Sequence, residues 1–210
     1  MCAQLKRSEM QLRARVPGWI RRLYRVTRAV RSEAVLSKEL PAELLGGCEL
    51  VSSRLALLDH LPKGSTVAEV GTATGAFAGQ ILVRTQPQSL HVIDVDYSQF
   101  SSELAGHPRL TRHEGLSADV LSTFEDATFD WIYIDADHSY DGVLGDARAA
   151  APKLKPGGLL IFNDFAHIDP YLGRYGVHRA VIDFALERGW RLRYFALDPA
   201  ALYDVALLKP

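Results

Sequence analysis

From Lys63 onward, short apolar runs alternate with stretches whose apolar positions recur at helical spacing. "STVAEV" (65–70) predicts a first strand and "GAFAGQILVRT" (75–85) the helix after it. "LHVIDVD" (90–96) predicts a second strand, with a helical segment from Tyr97 to Ala105, and "RLTRHEG" (109–115) a third strand. "FDWIYID" (129–135) is the fourth, followed by a helix over "YDGVLGDARAAAPKL" (140–154). "GGLLIFND" (157–164) is the fifth, introduced by a Lys-Pro-Gly-Gly turn. "VHRAVIDFALERG" (177–189) then reads as a helix with Gly189 at its C-terminal cap. "WRLRYFAL" and "ALYDVALLKP" close the chain with no helix between them, which predicts an antiparallel pair at one edge. Strands alternating with helices imply an α/β fold, a three-layer sandwich around a mostly parallel sheet.

The first fifty residues follow another pattern. "WIRRLYRVTRAVR" (19–31) sets Trp19, Ile20, Leu23, Tyr24, Thr27 and Val30 on one helical face and Arg21, Arg25 and Arg28 on the other. "PAELLGGC" (41–48) breaks the chain before an amphipathic helix expected from Glu49 to Leu61. Residues 1–49 are therefore read as a basic helical extension, and residues 50–210 as the main domain.

Charge sharpens that division. Residues 1–31 hold Lys6, Arg7, Arg13, Arg15, Arg21, Arg22, Arg25, Arg28 and Arg31 against Glu9 alone, so the net charge of −1 combines a basic N-terminus with an acidic remainder. Two cysteines, Cys2 and Cys48, suggest no disulfide framework, and a cytoplasmic protein is the expectation. No run approaches the length of a membrane span. The basic helix admits nucleic-acid binding, contact with an anionic membrane, or a lid or homodimer contact; its broad apolar stripe favours the last.

In open parallel sheets, ligands bind beyond the carboxyl ends of the strands. "AEVGTATGAFA" (68–78) places Glu69 near such an end, with Gly71, Thr72, Ala73, Thr74 and Gly75 leading into a helix. The spacing is G-x-x-x-G after an acid, unlike the G-x-G-x-x-G of dinucleotide binders, which disfavours a nicotinamide oxidoreductase. Asp94 stands about twenty residues beyond the turn, where an acid can accept hydrogen bonds from ribose hydroxyls. Turn and acid together point to a nucleoside ligand. Gly115 and Ser117, after the third strand, are candidates for an adenine slot.

"VAEVGTATG", "VIDVD", "EGLSADVL", "IDADHSYDGVLGD" and "LKPGGLLIFND" resemble, in order, the motifs of class I S-adenosylmethionine-dependent methyltransferases, and are most similar to those of the small-molecule O-methyltransferases. The resemblance implies a Rossmann-like seven-stranded sheet whose last strand is antiparallel. It implies S-adenosyl-L-methionine as cofactor, with Glu69 and Gly71 at its methionine end, Asp94 on its ribose and Ser117 on its adenine side; Thr72, Ala73, Gly75 and Asp135 complete the expected binding set. Glu114 departs from the Asp-bearing form of its motif.

A hydroxyl must lose its proton before it can accept a methyl group, and a divalent cation on its oxygen lowers the cost. Asp135 ends the fourth strand, and Asn163 and Asp164 end the fifth; strands about 4.8 Å apart would let these three converge on Mg²⁺. Metal-dependent members of the resembled family use such a trio. Asp137 or His138 is then the candidate to take the acceptor proton, against the alternative that both cap the following helix. His167 is a further loop candidate, and Tyr140, Tyr171 and Tyr175 are candidates for the acceptor pocket. The chain lacks the N-P-P-Y-type sequence of nucleic-acid amino-methylating relatives, which argues against base amino groups as acceptors and leaves RNA hydroxyls open; a small-molecule hydroxyl is the leading expectation. The competing expectation is a non-catalytic subunit that retains the fold.

Overall fold

The computed structural model describes residues 38–166, 168–169 and 173–210 of the 210-residue chain. The N-terminal helix predicted over 19–31, His167 and Tyr171 lie outside the described residues.

In chain order the elements are β1 (Glu49–Val51), α1 (Arg54–His60), β2 (Thr66–Val70), α2 (Ala76–Thr85), β3 (Ser89–Asp94), α3 (Ser102–Ala105), β4 (Leu110–Glu114) and α4 (Ser117–Ser122). Then follow β5 (Phe129–Ile134), α5 (Tyr140–Ala150), β6 (Leu154–Phe162), β7 (Ile168–Asp169), β8 (Gly173–Arg174), α6 (Val177–Arg188), β9 (Arg191–Ala196) and β10 (Asp204–Leu208). Eight strands form one sheet in the order β1-β9-β10-β6-β5-β2-β3-β4, and β7 and β8 pair separately. Only β10 runs antiparallel to its neighbours in the large sheet. The Rossmann-like reading holds, with one strand more than the seven expected.

The extra strand is β1. Its span was expected to be helical, but Glu49, Leu50 and Val51 pair with Tyr194, Phe195 and Ala196 of β9 and form the sheet edge. The helix starts only at Arg54, where the Ser53 hydroxyl accepts from Ala56 N at 3.1 Å. The closing pair is likewise not at the edge. β10 inserts between β6 and β9, so that Ala206 and Leu207 are fully buried. The helical segment expected from Tyr97 shrinks to the four residues of α3.

Two apolar layers sandwich the sheet. Val67, Trp131, Tyr133 and Ile161 face α1 and α2 through Leu57, Leu58, Ala78 and Ile81. Ala68, Val70, Ile132, Ile134, Leu160 and Phe162 face α5 and α6 through Val143, Ala147, Val181 and Phe184. The alternation along each strand sends successive side chains to opposite layers, and continuous apolar runs result because both faces are covered. The second layer also takes in Leu44, ahead of the expected boundary at residue 50.

Candidate active site

β2 and β5 are neighbours, while β3 and β4 extend to one side and β6 to the other. The gap above the carboxyl ends of β2 and β5 is thus the switch point where an open α/β sheet binds its ligand. The backbones there nearly touch. Gly71 has φ 84, and a Cβ on it would lie 2.1 Å from the Asp135 carbonyl oxygen. Asp135 N donates to Val70 O at 2.7 Å, and Gly71 N to Ile93 O at 2.8 Å. Only glycine fits this position.

The turn after Gly71 is built on Asp94. Its Oδ2 accepts from Thr72 N and Ala73 N, both at 2.9 Å. Its Oδ1 accepts from Val95 N at 2.7 Å and Asp96 N at 3.2 Å. Four backbone donors thereby fill the acceptor positions of this carboxylate, the ones that ribose hydroxyls were expected to use. Asp96 is exposed and accepts one hydrogen bond on each oxygen, from Ser98 N at 2.8 Å and Ser98 Oγ at 2.9 Å. Those two bonds hold its pKa below the ordinary carboxylate value.

Glu69 is buried beneath the turn and accepts from Thr72 Oγ1 at 2.8 Å. Burial pushes its pKa up to about 8, against the Thr72 hydrogen bond and with help from the Asp135 charge. At neutral pH it is mostly a protonated acid. Gly75 closes the turn by donating its N–H to Thr72 O at 2.8 Å, immediately before α2. Ser117, the expected adenine-side residue, spends its hydroxyl on Asp146 and so ties α4 to α5.

On the other side of the switch point lies a charged cluster. Arg54 Nη2 donates to Tyr133 Oη at 2.6 Å, and Tyr133 Oη donates to Asp204 Oδ2 at 2.5 Å. Asn163 Nδ2 donates to Tyr133 Oη at 3.3 Å and to Asp204 Oδ1 at 3.2 Å. The Arg54 guanidinium lies 4.1 Å over the Phe77 ring and 3.5 Å from Asp135 Oδ2. Burial raises Asp204 to about 6 even with Arg54 and Tyr133 opposing it. Neither Arg54 nor Asp204 was a site candidate from sequence. Their partners are 79 and 71 positions away along the chain, and no local pattern announces them.

His138 sits at the head of this cluster. Its Nε2 is 3.5 Å from Asp135 Oδ1 and 3.6 Å from Asp164 Oδ2, contacts that are electrostatic rather than true hydrogen bonds. The ring stacks on Tyr175 with centroids 4.5 Å apart and planes 11° from parallel. Burial alone would strip its proton, but the Asp135 side chain, the Asp164 charge and Asn163 outweigh burial and raise its pKa above 6.5. Asp137, one residue earlier, turns away. Its Oδ1 accepts from Ser139 N at 3.0 Å and its carboxylate packs against Gly142, while the cap of α5 is Ser139, whose hydroxyl accepts from Gly142 N at 3.1 Å.

The expected metal trio is drawn together without leaving an open cation position. Asp135 and Asp164 both face His138 Nε2, and the Asn163 amide nitrogen is anchored to Tyr133 and Asp204. Among the described residues no group of three His, Cys, Asp or Glu side chains has metal-holding geometry. As arranged, these residues do not fit Mg²⁺.

Next to Asp164, a cavity of about 440 Å³ opens beyond the ends of β6, β9 and β10, walled by Leu40, Phe165, His178, Phe195 and Tyr203. The Phe165 ring lies 4.6 Å from His178 and 6.0 Å from Phe195. Of the expected pocket tyrosines, Tyr175 covers His138, whereas Tyr140 donates to Asp183 at 3.0 Å. No described helix is long and apolar enough to cross a membrane.

Comparison with known proteins agrees with this layout. Residues 68–165 match the family described as a methyltransferase domain. A SAM-dependent methyltransferase from Methanosarcina mazei superposes with a TM-score of 0.59 at 12% identity, covering 76% of this chain and 99% of that one. One from Aquifex aeolicus gives 0.56 at 16%, covering 72% and 86%. An O-methyltransferase family protein from Burkholderia thailandensis gives 0.57 at 15%, covering 74% and 54%. No curated protein matches the sequence. At these identities the superpositions speak for the fold alone, and the methyltransferase-domain match spans residues 68–165, the stretch that runs from β2 to β6 and includes the switch point.

Proposed function

We propose that the protein transfers the methyl group of S-adenosylmethionine to a hydroxyl of a small molecule. The observation that carries the reading is His138 Nε2, held between two carboxylates at the switch point and stacked on Tyr175. When bound, S-adenosylmethionine supplies a methyl carbon on a positively charged sulfur, open to in-line attack.

The chain's own residues supply the rest. The Gly71–Ala73 turn lets the backbone approach the ligand closely, with protonated Glu69 beneath its methionine end. Asp96 takes the ribose hydroxyls in place of Asp94, because it is exposed and each of its oxygens keeps an acceptor position. His138 takes the proton of the acceptor hydroxyl, and Asp135 and Asp164, which face its Nε2, stabilise the imidazolium that forms. The aromatic cavity beside Asp164 holds the body of the acceptor, which favours one with an apolar ring. No step is assigned to Mg²⁺, since the donors expected for it are arranged around the histidine.

The test is transfer of labelled methyl from S-adenosylmethionine to a panel of phenols and alcohols. His138→Asn is expected to lower turnover by about 100-fold or more while S-adenosylhomocysteine affinity stays unchanged. Equal turnover in the variant would remove His138 from the proton step. Absence of transfer to every acceptor, with tight cofactor binding, would point instead to a non-catalytic subunit.

A further inference from the structure

We infer that His138 stands in the cation position of the acid cluster: its Nε2 fills the place at which Asp135, Asp164 and Asn163 would otherwise gather a divalent ion. This goes beyond methyl transfer and does not rest on it. Two carboxylates and an amide from the ends of adjacent strands are the oxygen-rich set that a hard cation selects. Here Asp135 Oδ1 and Asp164 Oδ2 approach the same ring nitrogen at nearly equal distances, 3.5 and 3.6 Å. An ion held by those oxygens would have to face that nitrogen across the same small space.

The ring is also not free to leave. Tyr175 covers one face, and Gly176 N donates to the His138 carbonyl at 2.7 Å. A Cβ on Gly176 would lie 2.0 Å from Tyr140 N, so the 175–176 segment is pressed directly onto the backbone that carries the imidazole. The second flank of Asp135 is closed by Arg54, 3.5 Å from Oδ2. A family-type acid cluster is thus satisfied by two side chains of the chain itself.

The experiment is titration with Mn²⁺, followed by loss of the free-ion paramagnetic resonance signal. It uses wild-type protein, His138→Ala, and His138→Ala combined with Asp135→Asn. The inference predicts that His138→Ala binds Mn²⁺ at least about tenfold more tightly than wild type, and that adding Asp135→Asn removes the gain. His138→Gln serves in the same titration if the alanine variant does not fold by circular dichroism. Equal Mn²⁺ affinity in wild type and variant would overturn the inference, as would absence of binding in both.

Discussion

Asp94 and Asp135 both stand at carboxyl ends of strands around one switch point, and their surroundings are opposite. Asp94 is saturated by four backbone N–H groups at 2.7–3.2 Å. Among the described residues, the Asp135 carboxylate meets Arg54 and His138, each at 3.5 Å. The first acid is architecture: it shapes the turn that approaches the ligand, and in doing so it uses up its own capacity to bind one. The second keeps acceptor capacity, because the guanidinium and the imidazole beside it stand too far for close hydrogen bonds. A strand-end acid is therefore classified by what already donates to it, not by where it stands.

The comparison predicts unequal costs of substitution. The largest effect is expected at the point where the two sides meet. Gly71→Ala forces a methyl group to within 2.1 Å of the Asp135 carbonyl at a positive φ, and should cost more than about 3 kcal/mol in urea unfolding. Asp94→Ala orphans four donors and should cost about 2–3 kcal/mol, with cofactor affinity lost alongside stability. Asp135→Asn should leave stability within about 1 kcal/mol of wild type and act on turnover instead. If the two aspartates proved interchangeable in this respect, the distinction between architecture and chemistry would fail.

The smallest effect is a pH slope. Glu69 has a folded-state pKa of about 8, above the ordinary 4.5, so the folded protein holds a proton there that the unfolded chain releases. Its contribution to stability is full below about pH 4.5 and is lost as pH rises through about 8. Melting temperature of the ligand-free protein should fall across that window, and Glu69→Gln should flatten the fall. An unchanged slope in Glu69→Gln would show that the carboxyl is not held protonated.

Most of the parallel sheet was legible because β2, β3, β5 and β6 are continuous apolar runs, buried on both faces and bounded by turns. β1 was not. "ELV" continues the helical spacing of the residues after it, and only pairing with β9, far along the chain, makes it a strand. The motif positions fall together at the carboxyl ends of the strands, but the contacts that each side chain makes there were not legible. Asp137 and His138 are adjacent in the sequence, which does not display that one packs against Gly142 and the other stacks on Tyr175. Asp94 and Asp96 are two residues apart, and the sequence does not display that backbone donors saturate the first while the second accepts only from Ser98. The Mg²⁺ expectation followed the acids and had no means of placing the imidazole among them.

The most direct measurement is calorimetric titration of wild-type protein and Asp96→Asn with S-adenosylhomocysteine. The account predicts one site per chain, with affinity in the low-micromolar to sub-millimolar range, weakened about tenfold or more by Asp96→Asn. Absence of binding by folded wild-type protein would contradict the cofactor assignment, and equal binding by both proteins would contradict the place given to Asp96.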